Sequence, residues 1–374
     1  MRVWNVRALT LALVVAVLAA GCDSSPAAPT ATSPAPVQGE VVSYSAVACG
    51  DTITDECDRR IESEILGQKR NVSVSPAARL RPGGGDPYPL LVYFHGWGDN
   101  EALATNLVVP ALERAIASGD LPPVVAAMPN VSIGGTGVDF PETDYDDSKG
   151  TWFINSNLGR YEDFLAEELF PWLRATLNVR QDAAGTALMG ESHGGFGAVF
   201  TALQHPAISQ TVAVFYPTLD FRYSCDGDPL ADYDPTCYQR LEEDRPEMTI
   251  STDGRLTLER LYYTPFNSDT RPGPTWDEDL PTWQRFSAVN PVELVADEAR
   301  DLAGYRFFMV AGDSDALNYD AHLMAFLDVA EARGLAVAPA GDNRRTGGHE
   351  AAFVEANIDE ALRWIGAQLG EAAQ

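Results

Sequence analysis

The chain has 374 residues, of which 45% are hydrophobic and 21% are charged, as is usual for a folded globular protein. Its 54 acidic and 26 basic residues give a formal net charge of -28. Such a surface repels polyanions, which excludes nucleic acid and anionic lipid headgroups as partners held by charge, and it favours solubility.

The N-terminus is predicted to be an export signal. A positively charged start precedes an apolar stretch, residues 8–20, that is too short to span a bilayer once polar sequence follows. The stretch ends in LAAGC, which resembles the lipobox of bacterial lipoproteins, although alanine rather than leucine lies three places before the cysteine. We therefore expect residues 1–21 to be removed and Cys22 to be lipidated. The alternative is a plain secretory signal in which Cys22 is incidental.

The rest of the chain is predicted to be a tether and one domain. Residues 22–40 are rich in Ser, Pro, Ala and Thr, which favours a solvated tether. Residues 41–374 are expected to form a catalytic domain with an irregular insertion at about 220–291. Because an acylated cysteine holds a protein at a membrane, we expect a lipid-anchored, exported protein of the bacterial cell envelope.

The cysteines agree with export. Besides Cys22 there are four, an even number, as in disulfide-bonded proteins of oxidising compartments. We favour the pairs Cys49–Cys57 and Cys225–Cys237, because each closes a short loop within one segment. A zinc site is the alternative, but no C-x-x-C pair and no nearby histidine supports it.

Predicted strands and helices alternate along the domain. Clusters of β-branched residues and apolar runs predict strands at 40–50, 70–80, 90–94, 124–129, 211–217 and 306–312. Amphipathic stretches predict helices at 102–118, 160–177, 321–333 and 351–369. This alternation predicts an α/β fold with a mostly parallel central sheet and helices on both faces.

The stretch MGESHGGFG supplies the candidate nucleophile. Gly190–Gly194 fits G-x-S-x-G, in which a serine projects from a sharp turn between a buried strand and a helix. A strand end is predicted at 186–189 and a helix at 196–204, so the context fits. Ser192 is therefore the candidate nucleophile, and a structural glycine turn is the alternative.

A serine hydroxyl needs an imidazole base to become nucleophilic. His193 is adjacent to Ser192 on the turn, where successive side chains diverge, so only its backbone N–H is expected to be useful. His95 and His205 fit structural positions better, and His322 is expected on a helix near the surface. His349, in the glycine-rich loop before the last helix, is the candidate base, because α/β-hydrolases order their triads as serine, acid, histidine.

The acid that orients the base is expected after a late strand. Asp315 follows the strand at 306–312 and is preferred, with Asp313 as the alternative. The oxyanion is expected to bind the backbone N–H groups of His193 and of Trp97, which lies in HGWGDN after an earlier strand. No metal or organic cofactor is needed for this chemistry.

Two other patterns are weaker. GDSD at 312–315 superficially matches a GDS-type lipase block with Ser314 as nucleophile, but it comes too late in the chain. The acidic runs DYDDS and DGDPLADYD lack the spacing of an EF-hand calcium loop. We therefore expect solvated loops there.

Five stretches together resemble the putative-esterase family of α/β-hydrolases, which includes feruloyl and acetylxylan esterases and S-formylglutathione hydrolase (esterase D). They are LLVYFHGWGDN, RYEDFLAEELFPWL, MGESHGGFGAVFTALQHP, GDSD and GGHEAAF…ALRWI. The likeness covers roughly residues 89–369 and is poorest after Asp220. It implies the α/β-hydrolase fold, a Ser192–Asp315–His349 triad, and an oxyanion hole at Trp97 and His193. The family's usual methionine after the nucleophile is replaced by His193.

The sequence thus predicts a serine carboxylic ester hydrolase that works through an acyl-enzyme. A small-molecule or polysaccharide ester, such as a feruloylated or acetylated carbohydrate, is a substrate class that the resemblance alone implies. Two alternatives are an envelope acyltransferase with an alcohol acceptor and a non-catalytic envelope lipoprotein that kept the fold for binding.

Overall fold

The computed structural model describes residues 60–75, 86–133, 150–156, 159–221, 223–225, 238–240 and 287–371. The predicted signal and tether, Cys22, the predicted strand at 40–50 and most of the predicted insertion lie outside these residues. Cys49, Cys57 and Cys237 lie outside them as well, and Cys225 is described only as strand backbone. The disulfides and the lipidation site therefore stay predictions.

The described part of the chain contains thirteen strands. In chain order they are β1 (Arg60–Ser63), β2 (Gln68–Ser75), β3 (Leu90–Phe94), β4 (Val125–Pro129), β5 (Asn155–Ser156), β6 (Gly159–Arg160), β7 (Thr186–Glu191), β8 (Thr211–Phe215), β9 (Tyr223–Cys225), β10 (Tyr238–Arg240), β11 (Arg306–Gly312), β12 (Val337–Ala338) and β13 (Arg344–Arg345). Nine form one sheet in the order β1-β2-β4-β3-β7-β8-β11-β12, with β13 also beside β11. In this sheet β1–β2 and β2–β4 are antiparallel and the other pairs are parallel. The mostly parallel sheet predicted from the sequence is confirmed.

The central strands are buried along their whole length. Every residue of β3, β4, β7 and β8 is buried. Because successive side chains of a strand point to opposite faces, this burial requires cover on both faces of the sheet. The apolar runs predicted as strands coincide with β3 and β11, and they contain β4 and β8.

Helices provide that cover. They are α1 (Glu101–Ser118), α2 (Tyr161–Asp163, a π-helical turn at Phe164–Leu169, then Phe170–Thr176), α3 (Ser192–Gln204), α4 (Pro291–Ala296), α5 (Tyr319–Ala332) and α6 (Ala351–Glu371). The Asn100 side chain accepts hydrogen bonds from two N–H groups of the first turn of α1, and Gly119 ends that helix with a φ of 81°. Among the residues that the structure describes, no helix combines the length and apolar character needed to cross a bilayer.

Most predicted boundaries differ from the observed ones by a few residues, and two of the differences bear on the site. Strand β7 continues to Glu191 and α3 begins at Ser192 rather than at 196, because Ser192, whose backbone makes the turn, is itself the first residue of the helix. The start of the predicted insertion also belongs to the core, since Asp220 and Phe221 are buried. The Asn290 side chain holds both residues in place through hydrogen bonds. Its amide NH₂ donates to Asp220 Oδ1 at 2.7 Å, and its amide oxygen accepts from Phe221 N at 3.0 Å.

Candidate active site

Ser192 lies on the turn that joins β7 to α3, at the carboxyl edge of the parallel strands. Its φ is +51°, a conformation that a residue with a side chain rarely adopts and that marks stored backbone strain. The turn is tight because α3 packs backbone to backbone on β3. A Cβ at Gly194 would lie 2.5 Å from the His95 carbonyl oxygen, and one at Gly190 would lie 2.9 Å from the Phe94 carbonyl oxygen. Only glycine fits at these two positions.

Ser192, His349 and Asp315 form one hydrogen-bonded chain. His349 Nε2 lies 2.9 Å from Ser192 Oγ, and His349 Nδ1 lies 2.9 Å from Asp315 Oδ2. Asp315 is fully buried, and its second oxygen accepts from Leu317 N at 2.8 Å. Since this carboxylate only accepts, the proton of a neutral His349 belongs on Nδ1, and Nε2 is left to accept from the serine hydroxyl.

Asp313, the alternative acid, has other partners. Its Oδ1 accepts from Gly347 N at 3.3 Å and lies 3.2 Å from Ser314 Oγ. Ser314 N in turn donates to the Gly347 carbonyl at 2.9 Å. Asp313 therefore joins the loop after β11 to the loop that carries His349, whereas Asp315 contacts the imidazole itself.

The His193 side chain is bonded to a different loop. Its Nε2 accepts from Thr151 N at 3.2 Å and from Trp152 N at 2.8 Å. The ring is packed among Trp97, Trp152 and Phe153, with centroids 5.4, 4.9 and 4.7 Å away. Burial lowers the pKa of His193 well below its ordinary value, so the ring is neutral. It orders the backbone at 151–153, where Trp152 and Phe153 have φ values of 52° and 55°.

Two backbone N–H groups were predicted to bind the oxyanion. His193 is the second residue of α3, a position whose N–H has no acceptor within its own helix. Trp97 lies in a turn closed by a bond of 3.2 Å from Asp99 N to the Gly96 carbonyl. Both residues line the same cleft as Ser192 and His349.

That cleft has a volume of about 430 Å³ and a lining that is largely apolar and aromatic. Its apolar and aromatic side chains include Trp97, Leu103, Leu107, Trp152, Tyr216, Leu317 and Tyr319. Three carboxyl groups also line it, those of Asp99, Glu191 and Glu350, and we call them the cleft carboxylates. Among the described lining residues there is no lysine or arginine. The lining therefore favours an uncharged ligand with an apolar or aromatic part.

Sequence reasoning missed three residues around His349. The Tyr216 ring lies 4.3 Å from the imidazole between centroids, and the Tyr319 ring lies 5.1 Å away. The Tyr216 hydroxyl donates to Glu191 Oε2 at 2.9 Å. Tyr216 is the first residue after β8, and its position at a strand end is the signal that could have identified it.

The expectation that His322 lies near the surface is wrong. This residue of α5 is fully buried, and its Nδ1 accepts from Leu219 N at 3.4 Å and from Asp220 N at 3.1 Å. Burial lowers the pKa of His322 to about 4. The reason for the error is that the sequence around it looks like an ordinary amphipathic helix, whereas α5 packs this face against the segment after β8.

A serine on a strand-to-helix turn of a mostly parallel sheet, bonded through a histidine to a buried aspartate, defines a serine hydrolase of the α/β-hydrolase fold. The sequence profile of the family described as "Putative esterase" matches residues 63–365. The chain belongs to this family and is a carboxylic ester hydrolase. The resemblance found in the sequence is thereby confirmed.

Solved structures of esterases and of a related hydrolase share the fold of this chain. A ferulic acid esterase has a TM-score of 0.60 and 18% identity, over 83% of this chain and 97% of the other. An S-formylglutathione hydrolase from Agrobacterium tumefaciens has a TM-score of 0.57 and 16% identity, over 83% and 94%. A ferulic acid esterase from Anaeromyces mucronatus, solved with ferulic acid, has a TM-score of 0.52 and 12% identity, over 83% and 90%. No curated protein sequence matches the chain significantly.

Proposed function

We propose that the protein is a serine esterase that works through an acyl-enzyme, with Ser192 as nucleophile, His349 as base and Asp315 as its partner. The observation that carries the proposal is the hydrogen-bonded chain from Ser192 Oγ through His349 to Asp315, with 2.9 Å at each step. Donor–acceptor distances in this range are those needed for proton transfer between a nucleophile and its base.

The reaction follows from this arrangement. Ser192 Oγ attacks the ester carbonyl carbon while His349 Nε2 takes the hydroxyl proton, and the buried Asp315 carboxylate stabilises the imidazolium. As the tetrahedral intermediate collapses, the bond to the alcohol breaks and Nε2 returns the proton to the leaving oxygen. A water molecule then gives a proton to Nε2 and attacks the acyl carbonyl carbon. The bond from that carbon to Ser192 Oγ breaks, Nε2 returns the proton to Oγ, and the acid is released.

Charge on the carbonyl oxygen needs its own donors. The backbone N–H groups of His193 and Trp97 are proposed to bind this oxygen, because both residues line the cleft beside Ser192. Removing one such donor typically costs about 10²–10³ in rate. The His193 ring supports this arrangement by fixing the 151–153 backbone against Trp97.

An aromatic or acetyl ester of a carbohydrate is the proposed substrate class. The aromatic lining of the cleft suits a flat acyl group, and two of the structural neighbours are ferulic acid esterases. The cleft carboxylates make an anionic substrate such as a glutathione thioester a poorer match.

The test is turnover of p-nitrophenyl acetate, methyl ferulate and acetylated xylan. Ser192→Ala is expected to lower kcat at least about 10³-fold, because the nucleophile is lost. Ser314→Ala is the matched control, since the hydroxyl of this serine, the one in the GDSD stretch, lies 3.2 Å from Asp313 Oδ1 and makes no contact with the triad, and it is expected to retain activity within about twofold. Equal activity of Ser192→Ala and the wild type would refute the proposal. Product analysis with added sugar acceptors distinguishes hydrolysis from acyl transfer.

We also propose that Cys22 anchors the protein to a membrane of the bacterial envelope. The support is the LAAGC stretch followed by a tether rich in Ser, Pro and Ala. Wild-type protein is expected in the membrane fraction with incorporated fatty acid, and Cys22→Ala in the soluble fraction without it. Fatty-acid labelling that persists in Cys22→Ala would contradict this proposal.

A further inference from the structure

A second carboxyl group, besides that of Asp315, is linked to His349 through one intervening side chain. Tyr216 connects the two: its ring lies 4.3 Å from the imidazole, with 39° between the planes, and its hydroxyl donates to Glu191 Oε2 at 2.9 Å. Glu191 is the residue immediately before Ser192 and is only 6% exposed. The proposed base is therefore in contact with a tyrosine whose hydroxyl is bound to a buried carboxyl group.

Tyr216 is held firmly enough to position another ring. Its N–H donates to the Val310 carbonyl at 2.7 Å, which fixes it between β8 and β11. Its φ of 33° is strained for a residue with a side chain. The Phe353 ring lies 5.7 Å from it, so the tyrosine has little freedom to rotate away.

In the proposed reaction, the contact between the Tyr216 ring and the His349 imidazole can stabilise a charge. His349 becomes a cation in that reaction when it takes the proton of Ser192. The face of an aromatic ring attracts a cation, and a phenol bonded to a carboxylate is the more electron-rich for that bond. A carboxylate in a buried site is also screened less than one in water, so its attraction to the imidazolium persists.

We propose that Tyr216 and Glu191 are positioning residues for His349: they hold its imidazole in line with Ser192 Oγ and stabilise the imidazolium formed during turnover. This inference rests on the proposed function, because it assigns the two residues to the base of that reaction. Neither residue needs to touch the substrate for this role.

Other charged and titratable groups also lie near Glu191 or His349 and affect their charge. Those near Glu191 or His349 are Tyr93, Asp99, Asp315, Tyr319 and Glu350. Burial raises the pKa of Glu191, and Asp99 raises it further, whereas the Tyr216 hydrogen bond and the charge of His349 lower it. The last effect is reciprocal: if a charged His349 favours ionised Glu191, then ionised Glu191 favours charged His349.

The first experiment is an NMR titration of the His349 ring in the resting protein, assigned with His349→Asn. Glu191→Gln keeps the size of the side chain and an oxygen that accepts from Tyr216, but it removes the charge. We expect His349 in this variant to bind its proton about three- to tenfold more weakly, so that it titrates at lower pH. Glu350→Gln is the matched control, because it removes an exposed carboxylate next to His349, and its effect should stay under about twofold.

Tyr216→Phe is the second arm, and it removes the hydroxyl while keeping the ring. It should weaken proton binding by His349 less than Glu191→Gln does, and the double variant should show no more than the larger single effect, because the two residues act as a unit. If Glu191→Gln does not fold by circular dichroism, Tyr216→Phe alone must still lower the titration midpoint. An unchanged midpoint in the folded variants, or a shift no larger than that of Glu350→Gln, would overturn the inference.

Turnover provides the readout that separates the two proposals. We expect kcat to fall about three- to tenfold in both variants with little change in KM, and the acidic limb of the pH profile to move with the NMR midpoint. Because the titration needs no turnover, a protein that hydrolyses no ester yet shows the shift would refute the esterase and keep the coupling. An active enzyme without the shift would refute only the coupling.

Discussion

Replacing Asp315 or Asp313 with asparagine tests which aspartate serves the base. The two residues lie two positions apart in the same loop, and each exchange alters a single atom. Asp315 contacts the His349 imidazole, whereas Asp313 bonds the backbone of the neighbouring loop. The structure therefore predicts very different costs for two nearly identical changes.

The size of the Asp315→Asn effect follows from its two hydrogen bonds. Its oxygens accept from His349 Nδ1 at 2.9 Å and from Leu317 N at 2.8 Å, and both donors carry a proton. An asparagine has one oxygen and one NH₂ group, so one contact becomes donor against donor unless His349 moves its proton to Nε2. That tautomer cannot accept from Ser192. A loss of about 10³–10⁴ in kcat follows, equivalent to about 4–5.5 kcal/mol of transition-state stabilisation.

Asp313→Asn should cost much less. Its oxygen can still accept from Gly347 N, and no imidazole faces the new NH₂ group, so we expect a change within about threefold in kcat. Steady-state kinetics with p-nitrophenyl acetate measure both variants, and urea unfolding shows whether either has lost stability. The reasoning is refuted if Asp315→Asn keeps more than a tenth of the activity, or if Asp313→Asn is the more damaging exchange in a folded protein.

Three further predictions concern stability and specificity. Gly366→Ala in α6 should lower the free energy of unfolding by about 1–3 kcal/mol, because a Cβ there would overlap the Asp120 carbonyl oxygen and lie 3.0 Å from Leu121 Cα. Gly370→Ala, in open space, should leave the free energy of unfolding unchanged or raise it by up to about 1 kcal/mol, and urea titrations measure both variants. Equal effects would contradict this packing. His322 stays neutral when folded, so the unfolded chain takes up its proton first as pH falls from about 6.5 towards 4, and wild-type stability should drop about 2 kcal/mol between pH 7.5 and 5 from this residue. The free energy of unfolding of His322→Gln should fall less over this pH range. If the variant and the wild type lose stability equally with pH, the assignment of this effect to His322 is wrong. Finally, 4-acetoxybenzoate should have a kcat/KM about tenfold below that of phenyl acetate, with the gap narrowing in salt, because of the cleft carboxylates. Faster turnover of the anionic ester would overturn this.

Strand positions could be predicted from the sequence because each depends on a local property. The run at 90–94 and, after Arg306, the run at 307–312 are apolar or aromatic throughout, and burial on both faces of a parallel sheet requires that composition. The fold class followed from the alternation of such runs with amphipathic stretches. The predicted start of α3 was wrong for a geometric reason: the helix begins at Ser192, four residues before the predicted start, because this one strained residue makes the whole turn.

The three triad residues could be proposed from the sequence for a related reason. A glycine-flanked serine, an aspartate directly after a late apolar run and a histidine in a late glycine-rich loop each carry a local pattern, and the fold fixes their order along the chain. The choice between Asp313 and Asp315 had no such pattern, because the two differ only in which way each side chain points within one turn. Their distances to His349 are decided by the turn geometry, and the structure was needed to obtain them.

Tyr216 and Glu191 were missed because their roles depend on the order of strands rather than on their positions. β8 lies between β7 and β11, so whatever follows β8 must lie between the serine after β7 and the aspartate after β11. Tyr216 is the first such residue, and its N–H bond of 2.7 Å to the Val310 carbonyl of β11 shows the placement directly. A tyrosine directly after a strand can be placed at the carboxyl edge of the sheet from the sequence, but which residues it meets there depends on the strand order. Once the strand order is known, contact between the Tyr216 and His349 rings follows, because the loop that carries His349 lies over this edge of the sheet.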